Sequence, residues 1–300
     1  MLRSINHTNA IKLVHDGGLD IWPTASSCVV GVIGDPIKHS LSPLLHNAAF
    51  RELGIDWVSI AFRVKKSDAL SALVGIRSMG IAGVSVTMPH KADVVPGLDR
   101  CSETAQALGA VNCVTNRDGE LTGDSTDGIG FLKSLEHSAG FSPIGQKCMV
   151  IGAGGAGRAV ALALSSGGAS EVVIVNRTKN HGQDLIQLLG SNARLGEANE
   201  ASEMDLVVNT TPIGMAETQC FKIKPLVSSD LIRSGQVVAD LVYFPQMTSW
   251  LQECSARGAI TVGGIGMLVY QAAAQLEIWL EHEPPIDAMW EVLERKGIQP

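Results

Sequence analysis

The stretch KCMVIGAGGAGRAVALALSSGG, residues 147–168, joins an apolar run, a glycine-rich turn and an alanine-rich segment with helical spacing. Gly152, Gly154 and Gly157 stand at the G-x-G-x-x-G spacing, directly after the apolar run. In that context the first glycine permits a tight turn, the second lets the backbone approach a pyrophosphate, and the third lets the helix pack closely on the sheet. The N–H groups at the start of the helix then face the phosphates. The stretch therefore predicts the phosphate-binding turn of a dinucleotide-binding domain.

The residues after the next strand indicate which dinucleotide is bound. The apolar run 171–175 is followed by Asn176, Arg177 and Thr178. Enzymes that use NAD carry an acidic residue there, which binds the ribose 2′-OH. An acid would repel a 2′-phosphate, whereas Arg177 can pair with it and Thr178 can donate a hydrogen bond. We therefore expect NADP(H); the alternative is that Arg177 is a surface charge at the end of the strand.

Apolar runs alternate with helix-period segments along the chain, which indicates βαβ units. The predicted strands are 28–34, 57–62, 83–87, 110–115, 171–178, 205–212 and 237–243. The predicted helices are 43–54, 66–79, 101–109, 127–140, 265–282 and 286–297. The pattern predicts an α/β fold of two domains, an N-terminal α/β substrate domain with a mostly parallel sheet and a Rossmann-type NADP-binding domain.

The composition excludes several functional classes. The chain has 300 residues, of which 45% are hydrophobic and 18% charged, and a net charge of -7, so a large core is expected and nucleic acid is a poor candidate partner. No apolar run reaches the ~18 residues that a membrane span needs. The cysteines are scattered and lack metal-site spacing, which indicates reduced thiols, a cytoplasmic protein and no metal. They are Cys28, Cys101, Cys113, Cys148, Cys220 and Cys254.

Polar residues follow several of the predicted strands, where open α/β sheets bind ligands. They are Ser40, Ser42, Thr87, Lys91, Asn112 and Asp127. Each also has a local explanation. Ser42 could cap a helix that starts with Pro43, and Asp127 could cap the helix that follows it. Lys91 could be a solvated charge at the start of a helix, and Asn112 a turn residue. His39, His46 and His90 have no companion ligands at metal spacing and are expected to be structural.

Taken together, nine motifs in order over about residues 29–295 resemble those of the shikimate dehydrogenase family. They are GDPIKHSLSPLLHN (34–47), VSVTMPHK (84–91), LGAVN (108–112), GDSTDG (123–128), GAGGAGRA (152–159), NRT (176–178), NTTPIGM (209–215), DLVY (240–243) and GIGMLVYQ (264–271). The resemblance implies an NADP-dependent oxidoreductase of the chorismate pathway, in aromatic amino acid biosynthesis, that reversibly reduces 3-dehydroshikimate to shikimate. The first residues lack the apolar region of a secretory signal and are interpreted as an N-terminal extension at 1–28, and the second series of strands and helices places a domain boundary near Asp127. The resemblance adds the terminal helices to the first half, which gives a substrate domain of 29–127 and 265–300 and a dinucleotide-binding domain of 128–264.

The resemblance further implies roles for individual residues. Lys91 and Asp127 match the catalytic pair, and Ser40 and Ser42 match the serines that hold the substrate carboxylate. The rest of the implied substrate-binding set is Ser85, Thr87, Asn112, Tyr243 and Gln271. The implied cofactor-binding set is Gly152, Ala153, Gly154, Gly155, Ala156, Gly157, Asn176, Arg177, Thr178, Thr210, Gly264 and Met267, the last lying near the nicotinamide. Beyond the small-molecule substrate no nucleic acid or membrane partner is expected, and the chain is a monomer or homodimer.

Two positions depart from the family pattern. Ser85 stands where the common motif has an asparagine that contacts the substrate; its shorter hydroxyl could reach through water, or the preferred ring could differ. His181 stands where some relatives carry a basic phosphate contact. A quinate/shikimate dehydrogenase that uses NAD is one alternative, against which Ser42 and Arg177 argue. An aminoshikimate dehydrogenase is another. A non-catalytic NADP-binding sensor is the third, and it would have no need for the Lys91–Asp127 pair.

Overall fold

The computed structural model describes residues 23–215, 223 and 225–299, and they divide into two compact units. Unit 1 comprises the residues up to Ser102, Val111–Asp124 and Gln275–Gly297. Unit 2 comprises Glu103–Ala110, Ser125–Ala274 and the residues from Ile298. The predicted N-terminal extension lies outside the described residues as far as position 22, and Cys220 also lies outside them. Each unit is built on a sheet with flanking helices, so the predicted α/β class is confirmed.

Twelve strands and nine α-helices lie within the described ranges. The strands are β1 (Cys28–Gly34), β2 (Trp57–Arg63), β3 (Gly83–Val86), β4 (Arg100–Cys101), β5 (Cys113–Arg117), β6 (Glu120–Asp124), β7 (Lys147–Ile151), β8 (Glu171–Val175), β9 (Ala193–Leu195), β10 (Leu206–Asn209), β11 (Val237–Asp240) and β12 (Ile260–Val262). The helices are α1 (Ser42–Glu52), α2 (Ala69–Ser78), α3 (Glu103–Leu108), α4 (Asp127–Ala139), α5 (Gly155–Ser166), α6 (Lys179–Leu189), α7 (Ser249–Ala256), α8 (Gly264–Leu280) and α9 (Ile286–Glu294).

The sheet of unit 1 has the strand order β2-β1-β3-β5-β6-β4. β1 pairs in parallel with β2 and β3, whereas β5 runs antiparallel to β3 and to β6. The beginning of β5 therefore lies at the same edge of the sheet as the ends of β1 and β3. This reversal brings residues that are distant in sequence to one edge, and it explains why the sheet is mostly rather than wholly parallel.

Helix α1 covers one face of this sheet because its apolar side chains recur at helical spacing. Leu45, Ala49 and Phe50 are buried, and the ring of Phe50 packs against Trp57 of β2 with 5.6 Å between ring centroids. Asn47 adds two hydrogen bonds to β2, accepting from the N–H of Ser59 at 2.8 Å and donating to its carbonyl at 2.9 Å. The helix is thus fixed to the edge strand by both packing and hydrogen bonds.

The sheet of unit 2 is wholly parallel, with the order β12-β11-β10-β7-β8-β9. Numbered from β7, this is the 3-2-1-4-5-6 order of dinucleotide-binding domains, with the direction of winding reversed between β7 and β10. Alternate residues of β7 enter different cores: Cys148 and Val150 pack on one face, and Met149 and Ile151 on the other. Both faces are therefore covered, as a parallel sheet requires.

Candidate active site

The edge of the unit 1 sheet where β1 and β3 end carries several predicted site residues. The N–H of Thr87 donates to the carbonyl of Ile33 at 3.0 Å, and that of Val86 donates to the carbonyl of Asn112 at 2.8 Å. A Cβ added at Gly34 would lie 2.6 Å from the side chain of Thr87, so only glycine allows the two strand ends to approach this closely. Thr87 and Asn112 therefore lie together at this edge.

Lys91 reaches the same edge through a turn rather than a helix. After β3 the chain passes the cis peptide bond before Pro89 and turns, with the N–H of His90 bonded to the carbonyl of Thr87 at 3.0 Å. The N–H of Val111 donates to the carbonyl of Lys91 at 2.8 Å, which fixes the half-buried lysine beside Asn112. The suggestion that Lys91 is a solvated charge at the start of a helix is thus wrong.

Two histidines of the first half are buried and structural. His90 hydrogen-bonds the carbonyl of Val64 through Nε2 at 2.7 Å. His46 hydrogen-bonds the hydroxyl of Ser59 through Nδ1 at 3.0 Å. Both rings are fully buried, so they stabilise the frame of the site from within unit 1.

The two serines of the SLS segment lie at the start of α1. Ser42 is the first residue within the helix and Leu41 is its cap residue, so the capping explanation for Ser42 is wrong. The N–H of Ser42 donates to the hydroxyl of Ser40 at 3.3 Å, which places the two serines side by side. The first-turn N–H groups of a helix and two short hydroxyls are suitable donors for a carboxylate.

Ser85 lies inside β3, between Val32 of β1 and Cys113 of β5. It is 4% exposed. Because side chains alternate along a strand, Ser85 points to the same face as Gly83, on which the ring of Trp279 packs. The asparagine-to-serine departure therefore concerns a buried position at which a larger side chain must find room.

The glycine-rich turn of unit 2 lies at the switch point of its sheet, between the ends of β7 and β10. Gly152 has φ +107°, and a Cβ there or at Gly157 would lie 2.7 Å from the hydroxyl of Thr210. That hydroxyl donates to the carbonyl of Ile151 at 2.8 Å, so Thr210 supports the turn. A Cβ at Gly154 would meet no atom within 4 Å, which leaves the space that a pyrophosphate needs.

The residues after β8 have two different tasks. The side chain of Asn176 accepts from the N–H of Ala153 at 3.2 Å and donates to the carbonyl of Thr178 at 2.8 Å, so it joins the glycine-rich turn to the next loop. Arg177 and Thr178 have exposed side chains at the same place. Gly155 and Ala156 open α5, whose first turn points its N–H groups at the turn. The arrangement suits a dinucleotide whose ribose carries a phosphate.

Asp127 and Gln271 are both nearly buried in unit 2. Asp127 is the first residue within α4 and Thr126 is the cap residue, so Asp127 does not cap the helix. Gln271 donates from Nε2 to the carbonyl of Leu268 at 2.9 Å. Tyr243 follows β11, and burial raises the pKa of its phenol.

Gly264 and Met267 begin α8. A Cβ at Gly264 would lie 2.3 Å from the carbonyl oxygen of Leu241, so this glycine is required by the close approach of α8 to the end of β11. Met267 packs against the core of unit 2. Gly264 has a packing role that is sufficient in itself, beside the cofactor role that the sequence implied.

Sequence reasoning missed a buried hydrogen-bond network around Asp240, at the ends of β10 and β11. Asp240, 1% exposed, accepts hydrogen bonds from Asn209 Nδ2 at 3.0 Å, from the Thr248 hydroxyl at 2.9 Å and from the N–H of Val242 at 3.1 Å. Burial raises the pKa of Asp240 to about 6, and these neutral donors act in the opposite direction. The signal was available, because polar residues end the apolar runs 206–208 and 237–239.

Two negative findings concern the described residues. Within residues 23–215, 223 and 225–299, no three His, Cys, Asp or Glu side chains are grouped as ligands for a metal ion. In the same part of the chain, no helix has the length and apolar character needed to cross a membrane.

Three family profiles match successive parts of the chain. The shikimate dehydrogenase substrate binding domain matches residues 32–114. The shikimate / quinate 5-dehydrogenase profile matches residues 137–229, and the shikimate 5'-dehydrogenase C-terminal domain matches residues 264–294. The matches cover the strand ends of unit 1, the glycine-rich turn and α8.

Individual relatives are similar over nearly their full lengths. The chain is 42% identical over 280 residues to shikimate dehydrogenase (NADP(+)) of Moorella thermoacetica, covering 90% of this chain and 93% of the relative. A crystal structure of shikimate dehydrogenase in complex with NADP+ is 35% identical with a TM-score of 0.85, covering 92% of this chain and 98% of that chain. That of shikimate 5-dehydrogenase from Thermus thermophilus, with NADP(H) and shikimate, is 34% identical with a TM-score of 0.82, covering 89% and 99%. The chain therefore belongs to the shikimate dehydrogenase family.

Proposed function

We propose that this protein is an NADP-dependent shikimate dehydrogenase that interconverts 3-dehydroshikimate and shikimate, with Lys91 as the group that donates and accepts the proton. The observation that carries the proposal is the meeting of Lys91, Thr87 and Asn112 at one edge of the unit 1 sheet, where the main chains of all three are tied by hydrogen bonds of 2.8–3.0 Å. An ammonium, a hydroxyl and an amide at such an edge suit a polar ring with a carbonyl and neighbouring hydroxyls.

The residues of unit 2 fit NADP(H). The turn from Gly152 to Gly157 would hold the pyrophosphate, because the Cβ positions of Gly154 and Gly155 face open space and the N–H groups of α5 begin there. Arg177 and Thr178 would hold the 2′-phosphate, with Asn176 fixing their loop. When bound, the cofactor supplies or accepts a hydride at its nicotinamide ring.

Lys91 supplies the proton chemistry. Reduction of the ring carbonyl leaves negative charge on its oxygen, which a protonated Lys91 stabilises and then neutralises by giving up its proton; in the oxidation Lys91 takes the proton from the hydroxyl. Asp127, the acid of the TDG segment, is the second member of the proposed catalytic pair.

The remaining groups orient the substrate. The protein carries a net charge of -7, so an anionic substrate needs local donors, and the adjacent hydroxyls of Ser40 and Ser42 at the start of α1 supply them. Thr87, Asn112, Tyr243 and Gln271 form the proposed contacts with the ring hydroxyls, and Ser85 is proposed to reach the substrate through water. Holding the ring in one pose supplies much of the rate enhancement, because the reacting atoms must be aligned before hydride transfer.

The proposal extends to organisation and location. We assign the substrate domain to residues 29–127 and 265–300 and the dinucleotide-binding domain to 128–264; the compact units differ from this division at 103–110, 125–127 and 265–274, which lie in unit 2, and Cys28 already belongs to β1 of unit 1. The protein acts on small molecules as a monomer or homodimer. Five cysteines with free thiols, Cys28, Cys101, Cys113, Cys148 and Cys254, support a cytoplasmic location, where thiols stay reduced.

Replacement of Lys91 tests the proposal. Reduction of NADP+ by shikimate, followed at 340 nm, should show kcat of Lys91→Ala lowered by roughly 10²–10⁴-fold, with a much smaller change in the KM for shikimate. Lys66→Ala, at an exposed position of unit 1, is the matched control and should keep the rate of the unmodified enzyme. Near-normal kcat in Lys91→Ala would contradict the assignment of Lys91, and a wild-type enzyme faster with quinate and NAD+ would contradict the substrate and the cofactor.

A further inference from the structure

Two side chains of α8 hold β5 of unit 1 by its main chain. Gln275 donates from Nε2 to the carbonyl of Asn112 at 2.9 Å, and Trp279 donates from Nε1 to the carbonyl of Val114 at 3.1 Å. Residues four apart on a helix are separated by about 6 Å along its axis, and residues two apart on a strand by about 6.7 Å. The two donors therefore match alternate carbonyls along the strand.

The two anchor points differ in what they hold. Val114 is an interior residue of β5, whereas Asn112 lies at the strand start among the proposed substrate contacts. The carbonyl of Asn112 accepts from both Gln275 and the N–H of Val86, and its own N–H donates to the carbonyl of Asp124 at 3.0 Å. Gln275 thus completes the set of main-chain bonds that fixes the orientation of the Asn112 peptide.

Burial and the bond to Asn112 together determine the orientation of the Gln275 amide. Gln275 is 0% exposed, and the carbonyl of Asn112 can only accept, so the amide nitrogen must face Asn112. The side chain also lies beside the His46 ring, whose pKa is lowered by burial to about 3. A fully buried amide whose nitrogen donates to a fixed carbonyl has little freedom to rotate.

We propose that Gln275 is a positioning residue for the substrate, acting through the main chain of Asn112 rather than by contact with the ring. The inference rests on the proposed function, because it is the proposed function that assigns Asn112 to substrate binding. Removing the Gln275 donor leaves one lone pair of a buried carbonyl unpaired and frees the Asn112 peptide to tilt. A tilt of the peptide moves the amide of Asn112 out of line with the ring hydroxyl that it binds.

The test compares two substitutions in α8, each of which removes one hydrogen bond to β5. Gln275→Met keeps the length of the side chain and removes the donor to Asn112. Trp279→Phe keeps a ring against Gly83 and removes the donor to Val114. Steady-state kinetics with shikimate and NADP+, with thermal unfolding of each protein, give KM for both substrates, kcat and Tm.

We expect Gln275→Met to raise the KM for shikimate by roughly 3- to 10-fold, about the worth of one neutral hydrogen bond, with the KM for NADP+ within 2-fold of wild type and a smaller change in kcat. Trp279→Phe should lower Tm to a similar extent and leave the KM for shikimate within 2-fold. Gln275→Asn, whose shorter amide does not reach the carbonyl, should repeat the result of Gln275→Met and replaces it if that variant fails to fold.

Equal changes of the shikimate KM in the Gln275 and Trp279 variants, or no change in either, would overturn the inference, because Gln275 would then be an ordinary packing residue. A wild-type enzyme without activity on shikimate would instead overturn the proposed function.

Discussion

The hydroxyl of Thr126 donates a 3.0 Å hydrogen bond to the main-chain carbonyl of Gln271, which joins the start of α4 to α8 within unit 2. One turn along α4, Gly130 lies against the same residue. A Cβ added at Gly130 would lie 2.6 Å from the main-chain nitrogen of Gln271 and 2.8 Å from its Cα. The two helices therefore approach each other at a glycine, and this contact fixes the main-chain positions of Asp127 and Gln271.

Gly130→Ala should lower Tm, because the added methyl group meets backbone atoms of α8, which cannot move aside as a flexible side chain can. Overpacking of this kind costs about 1–3 kcal/mol. Gly75→Ala in α2 is the matched control, since a Cβ there would meet only the end of Met79 at 3.5 Å. That variant should gain about 0.5–1 kcal/mol. Thermal unfolding should move the two proteins in opposite directions, and a Gly130→Ala protein as stable as wild type would disprove the close approach.

Arg177→Gln should weaken NADP+ far more than NAD+. A hydrogen bond to a charged group contributes about 1.5–3 kcal/mol, so we expect kcat/KM for NADP+ to fall by roughly 10- to 100-fold, with that for NAD+ within about 3-fold. Lys179→Gln, two residues along on the first turn of α6, separates a direct contact from the general positive charge of the region. If both variants lose the same factor, Arg177 is not the residue that distinguishes the two cofactors.

The sequence predicted much of this fold because its main signals are local. The glycine spacing after an apolar strand and the alternation of strands with helices are both readable from neighbouring residues. The short strands β4, β6, β9 and β12 were missed, since strands of two to five residues carry little periodicity, and helices α6 and α7 were not predicted either. The helix expected at 101–109 begins only at Glu103, because Cys101 belongs to the short strand β4.

The candidate site was predicted less completely than the fold. Lys91, Thr87 and Asn112 could be selected as polar residues at strand ends, but their meeting depends on the antiparallel pairing of β5, which no local pattern specifies. Asp240 accepts from the side chain of Asn209, 31 residues away, and Gln275 donates to the main chain of Asn112, 163 residues away, so nothing beside them in the chain reveals these partners. The supporting residues of the site are thus the ones that required the three-dimensional structure.

Ser85→Asn tests the departure in β3. Since the amide offers the donors that the hydroxyl lacks, we expect turnover of shikimate to be kept and its KM to stay the same or fall. Ser85→Ala is the control, and it should raise the KM if the hydroxyl contacts the substrate through water. Measuring kcat/KM for shikimate, quinate and aminoshikimate shows which ring each variant prefers. A collapse of shikimate turnover in Ser85→Asn would mean that the buried position was adapted to a different ligand.

The carboxyl of Asp240 gives the stability of unit 2 a predictable dependence on pH. Its pKa is raised from 3.8 to about 6 in the folded protein, chiefly by burial. Between these two values the folded state binds more protons than the unfolded state, so this group makes the free energy of unfolding fall as pH rises from about 4 to about 6. Above pH 6 the loss is complete, at about 1.4 kcal/mol for each unit of pKa shift.

Asp240→Asn should remove this dependence. The amide oxygen can accept from Asn209 and Val242 as Oδ1 does now, while the amide nitrogen can donate to the Thr248 hydroxyl. We expect the variant to gain about 1–3 kcal/mol relative to wild type between pH 4.5 and pH 7.5 in urea unfolding. All other groups titrate equally in both proteins and cancel in the difference. Asp184→Asn, at an exposed position of α6, is the matched control for the loss of one carboxylate. A constant difference between Asp240→Asn and wild type over this range would show that the buried carboxyl is already ionised at acid pH.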